Sequence, residues 1–302
     1  AIDYIIMAMA QTYWVLLVGR IISGMAGATY ITATAYISDI TKPGERAAAF
    51  GMIGAAFGIG FIFGPALGGI SSGWHVTAPF WIAAVFSALN MVFGFFILPE
   101  SLKKENRRSF GKGDLNPFET IIRAFMIPGL AVPLICIFIF EFANMVYPTL
   151  WAFWGREVFG WDGFTIGLTL SAYGILIALV QAGLLPQMTK RLGDYKTLIF
   201  ASISAVIALV GFGFSTTAWA VAIVLPVAAL SDMAPPLLTA FAANRVGDDK
   251  QGLVQGVIAS LASVAAVAAP LLLTGVFERF VNDEGVYFAG APFLVAALLT
   301  IA

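Results

Sequence analysis

Charge is what this sequence has least of. Lys and Arg number 16 and Asp and Glu 17 in 302 residues, 11% of the chain, against 60% apolar residues. Too few polar side chains are left to clothe a water-soluble globule of this size, so the chain belongs in a bilayer. The two signs nearly cancel at a formal −1, which leaves no basic surface for a phosphate backbone and excludes nucleic acid as a partner. Cysteine occurs once, as Cys136 inside an apolar run, so there is no disulfide framework and no Cys-rich metal site. The one histidine, His75, sits in a short polar stretch without a second His or Cys beside it, which argues against a metal-ligand set and against a nucleophile triad. No phosphate-cradling loop is present either, because Gly111-Lys112 is followed by Gly113 rather than Ser or Thr. Neither a metal nor a cofactor is expected, and work done by such a chain must draw on a gradient rather than on ATP.

What is present in quantity is long apolar runs. A membrane helix needs roughly 20 apolar residues to cross about 30 Å of hydrocarbon. Ten such segments are expected, near 1–10, 13–38, 47–71, 79–98, 129–154, 164–189, 196–215, 218–242, 253–277 and 287–302. The first and last are short, and the chain opens at Ala1 with no Met or polar leader, so a fragment is expected. Assigning the connections alternately to two sides places Lys42, Arg46, Lys103, Lys104, Arg107, Arg108, Lys112, Arg123, Lys190, Arg191, Lys196, Arg245 and Lys250 together. Only Arg156 and Arg279 fall opposite, with Arg20 inside a span. Cytoplasmic connections hold the basic excess, so the first set marks the cytoplasmic side, and a miscounted helix would have scrambled the two.

The longest break, 99–128, reads as a cytoplasmic linker between a partial N-terminal helical half, 1–98, and a C-terminal half, 129–302. The halves are related. Gly51 and Pro65 recur 205 residues on as Gly256 and Pro270, while Arg46 answers to Gln251 and Asp39 to Asn244. Duplicated halves with a site between them are a common plan of secondary transporters.

In the third segment Gly60, Gly64 and Gly68 fall at i, i+4 and i+8 on one helix face, with Pro65 and Gly69 beside them. Such a face lets another helix approach closely, by packing alone or as part of a gate. The full pattern, GxxxGPxxGG from Gly60 to Gly69, resembles the fifth-helix signature of drug:proton antiporters of the major facilitator superfamily. The stretch Leu17 to Ala28, LVGRIISGMAGA, resembles that family's fourth-helix motif, and Ser38-Asp39-Ile40-Thr41 through Glu45-Arg46 and Phe50-Gly51 resembles the loop that follows. Tetracycline-type efflux proteins are similar in Ile2-Asp3-Tyr4, Leu98-Pro99-Glu100-Ser101, Phe159-Gly160-Trp161, Gln251-Gly252, Gln255-Gly256 and Pro270-Leu271-Leu272. The resemblance covers nearly the whole chain. It implies an all-α polytopic membrane protein with two pseudo-symmetric six-helix halves, entered here at the third helix and cut within the last. The chain departs from those relatives at Glu141, where they have a glutamine, at Asp232, where they have small residues, and in the ninth helix, where only Ser202 and Ser204 stand in place of an acid. It also has Ala269 before Pro270 where the signature would put glycine.

Charges inside spans are costly and so are functional candidates. Asp3 and Arg20 each stand about eight residues from the turn near Gln11-Thr12, hence roughly 13 Å deep, level enough for an ion pair. Glu141 and Asp232 are near mid-span, and neither has a basic residue on its own helix. A carboxyl in low dielectric takes up a proton readily, which a reversible proton carrier requires. A packing role is the alternative for each. Asn144, Tyr147, Pro148 and Trp151 follow Glu141 at helical spacing, a stripe that suits a flat organic ligand or an ordinary helix interface. Gln181 and Gln255 match glutamines in the tetracycline-type proteins.

These observations lead us to expect a proton-coupled secondary transporter that exports small amphipathic compounds by alternating access. Glu141, Asp3 and Asp232 are the coupling candidates. Arg20, Asp39, Arg46, Gly60, Gly64, Pro65, Gly68 and Gly69 are the gating candidates. Asn144, Tyr147, Trp151, Gln181 and Gln255 are the substrate contacts. A monomer in a bacterial-type inner membrane is expected, with lipid, protons and a small substrate as its partners. Import of a nutrient by symport or uniport is the alternative. A membrane-embedded enzyme would need clustered His, Cys or metal-spaced carboxylates that one His and one Cys cannot supply.

Overall fold

A computed structural model describes residues 1–25, 36, 40, 46–98, 121, 122, 124–246, 251–282 and 286–301. Each of the ten apolar segments holds helix, as it must where no water is present to satisfy a free backbone. The elements are α1 (Ile2–Ala8), α2 (Tyr13–Met25), α3 (Arg46–Ser72), α4 (Ala78–Ile97), α5 (Ala131–Asn144), α6 (Val146–Phe159), α7 (Gly163–Leu179), a π-helical turn (Val180–Leu184), α8 (Leu185–Leu192), α9 (Asp194–Phe214), α10 (Ala218–Ser231), α11 (Ala234–Ala243), α12 (Gln251–Asn282) and α13 (Ala291–Ile301). Among the described residues, six stretches are long and apolar enough to cross a membrane: Ala78–Ile97, Ala131–Phe159, Gly163–Leu192, Asp194–Phe214, Ala218–Ala243 and Leu253–Asn282.

Three of those spans are interrupted where the sequence alone reads continuous helix, and proline is at hand each time. Pro148 has no N–H for the Asn144 carbonyl, and the chain turns at Met145 between α5 and α6. Pro235 and Pro236 withdraw donors from Ser231 and Asp232, and α10 gives way to α11 there. Ahead of Pro186 the Leu185 N–H reaches back to the Val180 carbonyl, one residue farther than in an α-helix, and a residue is thereby inserted.

The chain forms two compact units. One is Ala1–Ser109 with Gly163–Gly174; the other is Phe110–Asp162 with Ile175–Ala302. In the first, α1 packs on α2 and α4, and α3 on α4. The start of α7 lies against α3 so closely that side chains have no room: a methyl on Gly69 would stand 2.7 Å from the Gly163 carbonyl oxygen, and one on Gly167 would strike the Pro65 carbonyl. Ser171 Oγ completes the seam by donating to the Ile62 carbonyl at 2.7 Å. In the second unit α9 packs on α10 and α13, α5 on α11, α12 and α13, and α6 on α12. Its centre is aromatic. Trp154 is 1% exposed and Phe212 and Phe293 are wholly buried, with Trp154 ring centroids 4.9 Å from Phe293 and 6.1 Å from Phe212. Gly160 ends α6 in the left-handed region at φ 67°, and the chain turns back to place Trp161 on Trp151 and Trp154.

Candidate functional site

The polar groups of the second unit gather at its helix breaks. Asp232 occupies the turn between α10 and α11, half-buried, with φ −69° and ψ 0°. Its backbone carbonyl, deprived of the Pro236 N–H, receives the Gln181 side-chain amide at 3.4 Å. Gln181 comes from the π turn, so two irregular stretches of different spans meet through one side chain. The Asp232 carboxylate is near enough to Tyr147, at the start of α6, to act on it electrostatically. Glu141 is half-buried one turn before the break at Met145, and its carbonyl accepts from the Met145 N–H at 3.2 Å. Both mid-span acids of this unit are thus associated with breaks made by proline, where loosened backbone leaves polar groups that a continuous helix would have consumed.

The aromatic stripe is divided. Tyr147 is partly open, its ring 5.8 Å from Phe212 and 6.4 Å from Trp151. Trp151 is 4% exposed and packed against Trp154, Trp161 and Phe212. Trp151 thus backs Tyr147 from the core. Asn144 is half-buried at the end of α5, and Gln255 is exposed on α12.

In the first unit the expected ion pair of Asp3 with Arg20 is not formed. Ser23 reaches the Asp3 carboxylate instead. The reason is rotational. Gly19 is the α2 residue that faces α1, where an added methyl would stand 3.1 Å from Met7 Cγ, and Arg20, about 100° further round, is exposed. Of the five residues expected at a close-packed interface, Pro65 and Gly69 meet α7, while no described atom lies within 4 Å of a methyl placed on Gly60, Gly64 or Gly68. Asp39 and the Arg46 side chain lie outside the described residues.

Sequence reasoning missed Gly163, Gly167 and Ser171, although their spacing of four is the same small-residue signal that drew attention to α3. It also missed Pro236, Trp154, Phe212 and Phe293. The prolines were readable as helix breakers; which aromatic residues meet was not.

No group of three or more His, Cys, Asp or Glu able to hold a metal ion occurs among the described residues.

Comparison with known proteins agrees with this architecture. The family described as Major Facilitator Superfamily matches residues 2–270. The chain is 36% identical over 298 residues to the Tetracycline resistance protein, class C, of Escherichia coli, covering 99% of this chain and 74% of that one. It is 28% identical over 288 residues to Multidrug resistance protein 2 of Bacillus subtilis (strain 168), covering 93% and 71%. Among solved structures, the nucleoside transporter NupG superposes with a TM-score of 0.76 at 15% identity, over 99% of this chain and 78% of that one, a likeness of fold. An all-helical chain with this many apolar spans, matched over nearly its whole length, is a multi-pass membrane transporter of small molecules and not an enzyme, and it belongs to the Major Facilitator Superfamily, akin to the tetracycline resistance proteins.

Proposed function

We propose that the protein is a proton-coupled antiporter that exports small amphipathic organic compounds by alternating access. The observation that carries this reading is that Glu141 and Asp232 both stand at proline-made breaks inside spans, with Tyr147 set against Asp232. The names of its relatives, resistance proteins for tetracycline and for several drugs, support the direction and the kind of cargo.

Alternating access couples two flows when one group cannot serve both at once. A proton entering from the outer side binds the Glu141 carboxylate and neutralises it. The neutral acid no longer holds the polar end of the substrate, which leaves outward. When the site faces the cytoplasm the proton is released, the carboxylate is free again, and a new substrate is drawn in beside Tyr147 and Asn144. Asp232 and Asp3 assist as further proton acceptors, Trp151, Gln181 and Gln255 line or support the substrate path, and Asp39, Arg46 and Arg20 act with the glycine seam in gating. The helices of 1–98 and of 129–302 form the two halves, joined by a cytoplasmic linker at 99–128. The protein works as a monomer in a bacterial-type inner membrane.

The test is proton flux in everted membrane vesicles bearing the protein, challenged with a panel of amphipathic drugs that includes tetracycline. Drug-dependent collapse of the proton gradient, lost in Glu141→Gln at equal protein level, is the expected result. A gradient untouched by every drug, with folded protein present, overturns antiport and turns the reading to import; a response to tetracycline alone narrows the cargo.

A further inference from the structure

A carbonyl stripped of its donor by proline inside a span needs another partner, from a neighbouring side chain or from water in a cavity. At Asp232 the partner is a side chain. Pro236 removes the i+4 N–H, and the Gln181 amide, 51 residues away in sequence, donates to that carbonyl at 3.4 Å. The π turn matters to this arrangement. An inserted residue rotates the face of a helix by about 100°, and Gln181 is on the inserted turn itself, Val180–Leu184. The Asp232 carboxylate meanwhile acts on Tyr147 of α6.

We propose that Gln181 is a positioning residue: its amide replaces the backbone donor that Pro236 deletes and thereby holds the Asp232 turn, with its carboxylate beside Tyr147, as a fixed break in the span. The functional half of this proposal rests on the coupling role given to Asp232 above; the tether itself does not. It predicts that Gln181 and Pro236 are energetically linked although they belong to different spans, because each decides whether the same carbonyl is satisfied.

The experiment is a double-mutant cycle on the purified protein in detergent and in vesicles. Gln181→Leu alone should lower the melting midpoint by about 2 °C and cut drug-dependent proton flux about tenfold, the scale of a misplaced reacting group. Pro236→Ala returns an N–H for the Asp232 carbonyl, while Pro235 still breaks the helix. In that background Gln181→Leu should no longer lower the midpoint. A midpoint loss of equal size in both backgrounds overturns the tether. A midpoint rescued by Pro236→Ala, with flux indifferent to Gln181→Leu while Asp232→Asn abolishes it, overturns the positioning role. Flux unchanged in Asp232→Asn instead refutes the coupling role of that acid, and the tether is then judged on the melting cycle alone.

Discussion

Single residues decide how closely the helices of this protein can meet, and magnitudes separate two contributions at one seam. Ser171 donates to the Ile62 carbonyl at 2.7 Å, a bond worth about 0.6 kcal/mol between membrane helices, where the unfolded state also finds partners. Ser171→Ala should therefore lower stability by about that much. Gly167 contributes through what it lacks: any Cβ there meets the Pro65 backbone, which cannot rotate aside as a side chain can. Gly167→Val should cost about 1–3 kcal/mol, more than the hydrogen bond, and thermal denaturation of the two variants ranks them. In the other unit Trp154 has ring contacts with Trp151, Phe159, Trp161, Phe212 and Phe293. Trp154→Ala should lose about 3 kcal/mol, because the packing is forfeited even though transfer out of water adds little in a bilayer. The spacing of Gly163, Gly167 and Ser171 was visible in the sequence. Which part of the Gly60 to Gly69 patch this stretch meets was not, since any of these faces would admit a helix.

At the level of elements the informative features are interruptions. A span needs its internal hydrogen bonds, so a break that survives in lipid has a compensating partner or a use. Pro148 separates α5 from α6 one turn beyond Glu141. Pro148→Ala restores the donor for the Asn144 carbonyl. We expect a melting midpoint equal to or above that of the parent protein, with drug-dependent proton flux reduced, the pattern of a site that trades stability for geometry. A variant with unchanged flux would make the break an incidental kink. The prolines and the mid-span acids could be read in advance; the π turn at Val180–Leu184 could not, because it depends on how the following Pro186 is accommodated against neighbouring helices.

For the whole molecule the basic residues predict a topology. In a Cys136→Ser background, a cysteine at Arg191 should react with a membrane-impermeant thiol reagent in everted vesicles and not in intact cells, and one at Arg279 should do the reverse. Labelling of both from the same side would remove a helix from the count. Composition alone determined that the chain is helical and membrane-spanning, because hydrocarbon leaves an apolar chain only a closed backbone, and the alternation of basic connections predicts its orientation. Which face of each helix turns inward was left to tertiary structure. Phe95 is 82% exposed and Phe212 is wholly buried, though both stand in helices apolar on all sides. Lipid is as apolar as a protein core, so no hydrophobic contrast marks the packing face, and only the mutual fit of side chains brings Gln181 to Asp232 and Asp232 to Tyr147.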